Sequence, residues 1–184
     1  GIAPRGIKAH GTDLYVANFG SASYTGIVAS GTVSVIASGS NTVTDTITAG
    51  HGPRGVAVNG DEVYVANWHD DTISVISTAS NTVTHTIAVG SGPRGVLSLG
   101  SNIYVENYKA GTMSIIATGS HTVSATVDVG NSPAGMTAVG TDVYVSRFTD
   151  GLVSILDTTN NTMRSSCEID TTAPIISAVA SSTS

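Results

Sequence analysis

The sequence is short of charge, of aromatics and of cysteine, and each shortage narrows what it can encode. Charged residues make up 11% and aromatics 5% of its 184 positions. Only two lysines are present, Lys8 and Lys109, and the net charge is -6. No basic stripe is available to neutralise phosphates, which argues against nucleic acid and against an anionic membrane surface as partners. A single cysteine, Cys167, allows neither an internal disulfide nor a cysteine-based metal site. No apolar run approaches the roughly 20 residues that a membrane-spanning helix needs. Leucines are few and no stretch keeps a 3.6-residue period, so helical and leucine-rich repeats fit poorly.

Gly, Ser, Thr, Val and Ala dominate instead. Little charge with much Thr and Val suits short β-strands joined by tight turns. A surface kept soluble by hydroxyls leans towards an extracellular or cell-surface location. The start at Gly1 rather than Met fits removal of an upstream segment such as a signal peptide. One Asn-x-Thr sequon, Asn160-Asn161-Thr162, is unremarkable by itself.

A fixed period runs through the chain. Pro-Arg-Gly begins at Pro4, Pro53 and Pro93, with the variant Pro133-Ala134-Gly135, at spacings of 49, 40 and 40 residues. A Tyr-Val pair follows in each unit, at Tyr15, Tyr64, Tyr104 and Tyr144. Next comes a Val-Ser-Val-Ile run at Val33, Ile73, Met113 and Val153, then Asn-Thr-Val at Asn41 and Asn81, His121-Thr122-Val123 and Asn161-Thr162-Met163. Each unit reads as four short β runs separated by turns, and a period of about 40 residues with four strands is that of a propeller blade. The predicted fold is all-β: a β-propeller of four blades of four antiparallel strands over 1–170, followed by a tail at 171–184. The blades are placed at 4–52, 53–92, 93–132 and 133–170.

The units resemble YVTN repeats, whose blade carries Tyr-Val-x-Asn. Tyr15-Val16-Ala17-Asn18 and Tyr64-Val65-Ala66-Asn67 match well. Tyr104-Val105-Glu106-Asn107 matches with a glutamate at the free position, and Tyr144-Val145-Ser146-Arg147 loses the asparagine. The resemblance reaches about Asp170 and implies a propeller of the surface-layer and adhesion type. Members usually close with seven blades. Four blades therefore leave three arrangements open: a small closed ring, part of a larger ring, or pairing with another chain. The tail, from Ala173-Pro174-Ile175, could staple the ring, join a neighbouring chain as an edge strand, or start another blade.

Strand order places the loop after Tyr-Val-x-Asn on the same side as the Pro-Arg-Gly entrance. That face is expected to gather Arg5, Arg54 and Arg94, with Arg147 supplying the fourth blade's arginine. Asn18, Asn67 and Asn107 join them, as do Phe19, Trp68, Tyr108 and Phe148. Twelve residues separate Phe19 from Thr32, against three between Trp68 and Thr72, so an insertion around Tyr24 elaborates this face. Arginine forks suit carboxylate, sulfate or phosphate, and aromatics suit sugar rings or a partner's pocket. The structural alternative has the arginines bonding blade-end carbonyls or acids and the aromatics wedged between blades.

Other residues are weighed singly. Glu106 stands where sister positions hold Ala17, Ala66 and Ser146, and reads first as an ion-pair partner of an arginine. His10, His51, His69, His85 and His121 occupy different repeat positions, and no pair has the spacing of a linear metal motif. His121 takes the turn position of Asn41, Asn81 and Asn161. His69-Asp70-Asp71 reads as a solvated turn, with a weak cation site as the alternative. Cys167 aligns with Ile47, Ile87 and Val127, which predicts a small buried hydrophobe. No linear catalytic motif is recognisable, and no cofactor or resident metal is expected. The leading expectation is a non-catalytic binding or assembly module for a protein or glycan, with a homo-oligomer or polymer formed through the tail. The alternatives are a metal-dependent propeller lyase, with Glu106 and His69 as candidates, or a purely structural subunit.

Overall fold

The structure, a computed structural model, describes residues 3–20 and 30–168. Tyr24 and its insertion, and the tail at 171–184, lie outside the described residues. The described chain is all strand and turn. The first sheet holds β1 (Pro4–His10), β2 (Asp13–Asn18), β3 (Ser30–Ala37) and β4 (Thr42–His51). The second holds β5 (Pro53–Asn59), β6 (Glu62–Asn67), β7 (Thr72–Ser77) and β8 (Thr82–Ala88). The third holds β9 (Pro93–Leu99), β10 (Asn102–Asn107), β11 (Thr112–Ala117) and β12 (Thr122–Asp128). The fourth holds β13 (Pro133–Val139), β14 (Asp142–Arg147), β15 (Leu152–Asp157) and β16 (Thr162–Glu168). Every sheet is an antiparallel meander in chain order, so these are four blades of a β-propeller-like fold. No helix among the described residues is long and apolar enough to cross a membrane.

Turn chemistry repeats with the blades. Asn41, Asn81, His121 and Asn161 all take a left-handed backbone, with φ of 55°, 51°, 52° and 57°. Asparagine tolerates that region better than most residues, which accounts for the Asn-Thr step before three of the four outer strands.

Alternating side chains give each blade two apolar faces, and neighbouring blades bury one against the other. At the first seam Tyr15, Ala17, Val33, Val35 and Ile47 meet Val56, Val63, Val65 and Ile76. At the second, Tyr64, Ile73, Val75 and Ile87 meet Ile103, Val105 and Ile116. At the third, Tyr104, Met113 and Ile115 meet Val143, Val145 and Leu156. The glycine of Pro-Arg-Gly lets the inner strands approach: a Cβ at Gly6 would strike the Arg54 carbonyl, and one at Gly55 the Arg94 carbonyl.

The four blades form an open arc. β1 packs on β5, β5 on β9 and β9 on β13, but β13 and β1 make no comparable contact. Gly135 meets only Ser146 of its own blade, where Gly6 and Gly55 meet the next inner strand. The face that blade 4 turns outward carries Tyr144, Val153 and Ile155, all incompletely buried, and an apolar groove lined by Thr137, Tyr144 and Val153. The opposite end, on blade 1, presents Leu14, Val16 and Ile36 half-buried, with Ile7 and Val43 exposed by 56% and 58%. Cys167 is exposed, contrary to its predicted burial, because no further described blade covers the outgoing face on which Ile47 and Ile87 are buried.

Candidate functional site

Each inner strand begins, and each second strand ends, on one rim of the arc: Pro4 pairs with Asn18 and Pro53 with Asn67. Arg5, Arg54 and Arg94 stand there, one per blade, in a cavity of about 320 Å³ shared with Gly55, Gly95 and Glu106. Their guanidinium groups interleave with the aromatics of the adjoining loops. Arg5 lies 5.3 Å from the centre of the Phe19 ring. Arg54 lies 5.5 Å from Phe19 and 4.3 Å from Trp68, and the Lys109 ammonium reaches Trp68 at 5.0 Å. Arg94 sits 5.5 Å from Tyr108, whose ring tilts against Trp68 at a centroid distance of 5.5 Å. Each cation–ring contact is worth about 0.5–1 kcal/mol when exposed, so the stack orients the cations without consuming their hydrogen-bonding capacity.

That capacity is largely unspent. Among the described residues no carboxylate lies within ion-pair distance of Arg5, Arg54, Arg94 or Lys109. Arg94 donates to the Ala134 carbonyl at 3.2 Å. Burial, then the charges of Arg94 and Arg5, hold the Arg54 guanidinium below its usual pKa. Four cations thus share one rim of a chain whose net charge is -6, a local basic cluster where the composition had argued for none. Beside the arginine cavity, Arg54, Trp68, Arg94, Tyr108 and Phe148 line a second cleft of about 300 Å³. Phe148 is 75% exposed at its edge.

Glu106 forms the floor of the arginine cavity and is only 1% exposed. It makes no ion pair with an arginine. Its Oε1 has no hydrogen-bond partner, and Gly95 and Gly135 line the cavity beside the carboxylate. Burial pushes its pKa up to about 7, opposed by Arg94 and by the nearby backbone N–H groups of Gly95 and Gly135. The carboxyl therefore changes charge near neutral pH directly beneath the cations.

The structure separates two predicted groups from this face. The asparagines are buried inside their blades, where each donates to two hydroxyls of the third strand. Asn18 bonds Thr32 and Ser34 at 3.2 and 2.9 Å, Asn67 bonds Thr72 and Ser74 at 3.1 and 2.9 Å, and Asn107 bonds Thr112 and Ser114 at 3.0 and 2.9 Å. They tie second strand to third and do not reach the rim. Arg147 fills the same slot: it lies against Gly130 as Asn67 lies against Gly50 and Asn107 against Gly90. Its guanidinium pairs with Asp150 and borders an outer cavity with Arg164, away from the other three arginines. The expected fourth arginine of the ring is therefore absent, because a substitution at the asparagine position inherits that position's direction.

His69, Asp70 and Asp71 do not act as one cluster. His69 tilts against Phe19 at 5.5 Å, Asp70 accepts from the His51 backbone N–H at 2.7 Å, and Asp71 accepts from that of Gly92 at 2.8 Å. Lys109 was missed in the sequence; its signal was its place directly after the blade's aromatic, where the first blade has Gly20. Also missed was a group on the opposite rim, Glu62, His85 and His121, drawn from positions too far apart to form a linear motif.

Fold and face together define a β-propeller-like repeat protein with a cationic, aromatic-laddered rim. No protein-family model matches the chain, and a search of curated proteins finds no match. Among solved structures it is similar to the hydrazine synthase of Kuenenia stuttgartiensis, with 20% identity and a TM-score of 0.75 over 89% of this chain. The chain spans 48% of the length of that protein, about half. At this identity the likeness establishes the shared fold. The match extends to 909 solved chains in all, a shape too widespread to discriminate one function from another.

Proposed function

We propose that the chain is a non-catalytic binding module, secreted or displayed at a cell surface, whose cationic rim recognises an acidic protein or glycan. This reading takes the repeats as YVTN-type units of the surface-layer and adhesion kind. The observation that carries it is the set of four cations without carboxylate partners among the described residues, spaced by Phe19, Trp68 and Tyr108. An arginine held by an aromatic is pre-oriented, so less side-chain freedom is lost when it forks onto a carboxylate or sulfate. A sugar ring or apolar side chain then fits the adjoining cleft, against Tyr108 and Phe148. Affinity electrophoresis through gels loaded with an acidic polysaccharide, a neutral one, or poly-glutamate tests it. Retardation by an acidic gel alone, lost at high salt and in Arg54→Ala and Trp68→Ala, is expected. Equal mobility in all three gels overturns the reading.

A second reading, assembly, is favoured by the open arc. Repeat equivalence makes the outgoing face of blade 4 the counterpart of the faces that blades 1 to 3 bury. The incoming face of blade 1 is likewise the counterpart of those on blades 2 to 4. Each end of the chain therefore complements the other end of a second copy, and two copies joined head to tail close an eight-bladed ring. Light scattering on a sizing column should give twice the 18.5 kDa chain mass, falling to one chain mass in Ile36→Asp. A wild-type monomer at every concentration removes this reading and leaves the rim untouched.

A further inference from the structure

We infer that Glu62, His85 and His121 form a binding site for a transition-metal dication of the Zn²⁺ class, at the seam between blades 2 and 3. One potential ligand atom from each lies within 4.8 Å of the other two. His121 Nε2 stands 2.8 and 3.0 Å from the two Glu62 oxygens. The His85 and His121 rings stack with centroids 4.0 Å apart and planes 16° from parallel. Two imidazoles and one carboxylate are a zinc ligand set, and solvent can supply a fourth ligand beside the exposed His85. Thr84 Oγ1, 3.1 Å from His85 Nδ1, can accept a hydrogen bond from Nδ1–H and leave Nε2 as the metal-binding atom.

The repeat supplies an internal control on what the fold alone requires. At the seam between blades 1 and 2 the same three places hold Asp13, Asp45 and Asn81, and Tyr15 simply donates to Asn81 at 3.0 Å. At the seam between blades 3 and 4 they hold Asn102, Ala125 and Asn161. Imidazoles occur at the second and third places only at the middle seam, where they meet a glutamate. Asparagine suits the left-handed turn at least as well, so turn geometry does not select His121. Tyr64 donates to Glu62 Oε2 at 2.7 Å and so fixes the carboxylate. Burial works against the Glu62 charge, but the bonds from His121 and Tyr64 outweigh it and hold the carboxyl below its usual pKa. The site lies on the rim opposite the arginines, since Glu62 opens β6 and Asn67 ends it. It is therefore independent of the proposed acidic-partner site.

Calorimetric titration of the whole chain with Zn²⁺ at neutral pH tests the assignment. Saturable binding of one ion per chain is expected, with d–d absorption bands of nitrogen and oxygen coordination when Co²⁺ replaces Zn²⁺. His121→Asn installs the residue the other repeats use, and His85→Ala the residue of the third blade, so both keep the fold. Each should weaken Zn²⁺ binding at least tenfold, while His51→Ala, on the other rim, leaves it unchanged. Absence of saturable binding, or equal affinity in wild type, His121→Asn and His85→Ala, overturns the proposal.

Discussion

Ile76 in blade 2 and Ile36 in blade 1 hold the same place in the repeat, yet Ile76 is fully buried while Ile36 is only half-covered. Among the described residues, blades 2 and 3 have a neighbour on both faces and blades 1 and 4 have one. The difference shows that a blade's sequence prepares two apolar faces, and that only its neighbours decide whether they become core. A propeller blade is stable by virtue of its seams, as expected of a repeat architecture in which each unit contacts only the next.

The largest expected effect tests this contrast directly. Ile76→Ala should lower the unfolding free energy by about 2–5 kcal/mol, as deletion from a closed core does. Ile36→Ala in the monomer should cost about 1 kcal/mol or less. Urea unfolding compares them, and equal losses would break the distinction between inner and outer blades.

Glu106 sharpens it next, since it is buried where Gly95 of its own blade and Gly135 of the following one line the same cavity. A carboxyl whose folded pKa stands at about 7, above its 4.5 reference, favours folding while protonated in the folded state. That contribution is complete below pH 4.5 and is lost as pH rises to about 7, by at most ~3 kcal/mol. Glu106→Gln should flatten stability over this window in thermal melts across pH. A profile unchanged by the substitution would mean that the fourth blade does not seal the carboxylate.

The asparagine slot gives a smaller contrast. Asn107→Ala strands the Thr112 and Ser114 hydroxyls and should cost about 1–3 kcal/mol. Arg147→Ala, at the less covered slot of blade 4, should cost less than about 1 kcal/mol. In affinity electrophoresis Arg147→Ala should also migrate as wild type, whereas Arg54→Ala loses retardation. Loss in Arg147→Ala would restore a fourth arginine to the ring.

Much of the fold was legible because repeats expose their own grammar. Pro-Arg-Gly, Tyr-Val and Asn-Thr recur at blade spacing, and each marks a local requirement: close inner strands, an interior second strand, a left-handed turn. Arg5, Arg54, Arg94 and their aromatics could be assigned to one rim because strand direction alternates within a meander. The asparagines were misassigned because position along a strand gives the rim, whereas the side of the sheet gives the partner. Asn67 points into its blade, towards Ser74. Arg147 followed the same error, and Cys167 failed because register alone does not say whether another blade covers that face.

The sequence by itself determined four blades of four strands, their turns, and the rim on which cations and aromatics gather. These depend on periodicity and local backbone preference, which act over a few residues. Tertiary structure alone decided that the arc is open, that Glu106 is buried without an ion pair, and that Glu62 meets His85 and His121. Each of those depends on how one blade packs against the next, over separations that local pattern does not encode.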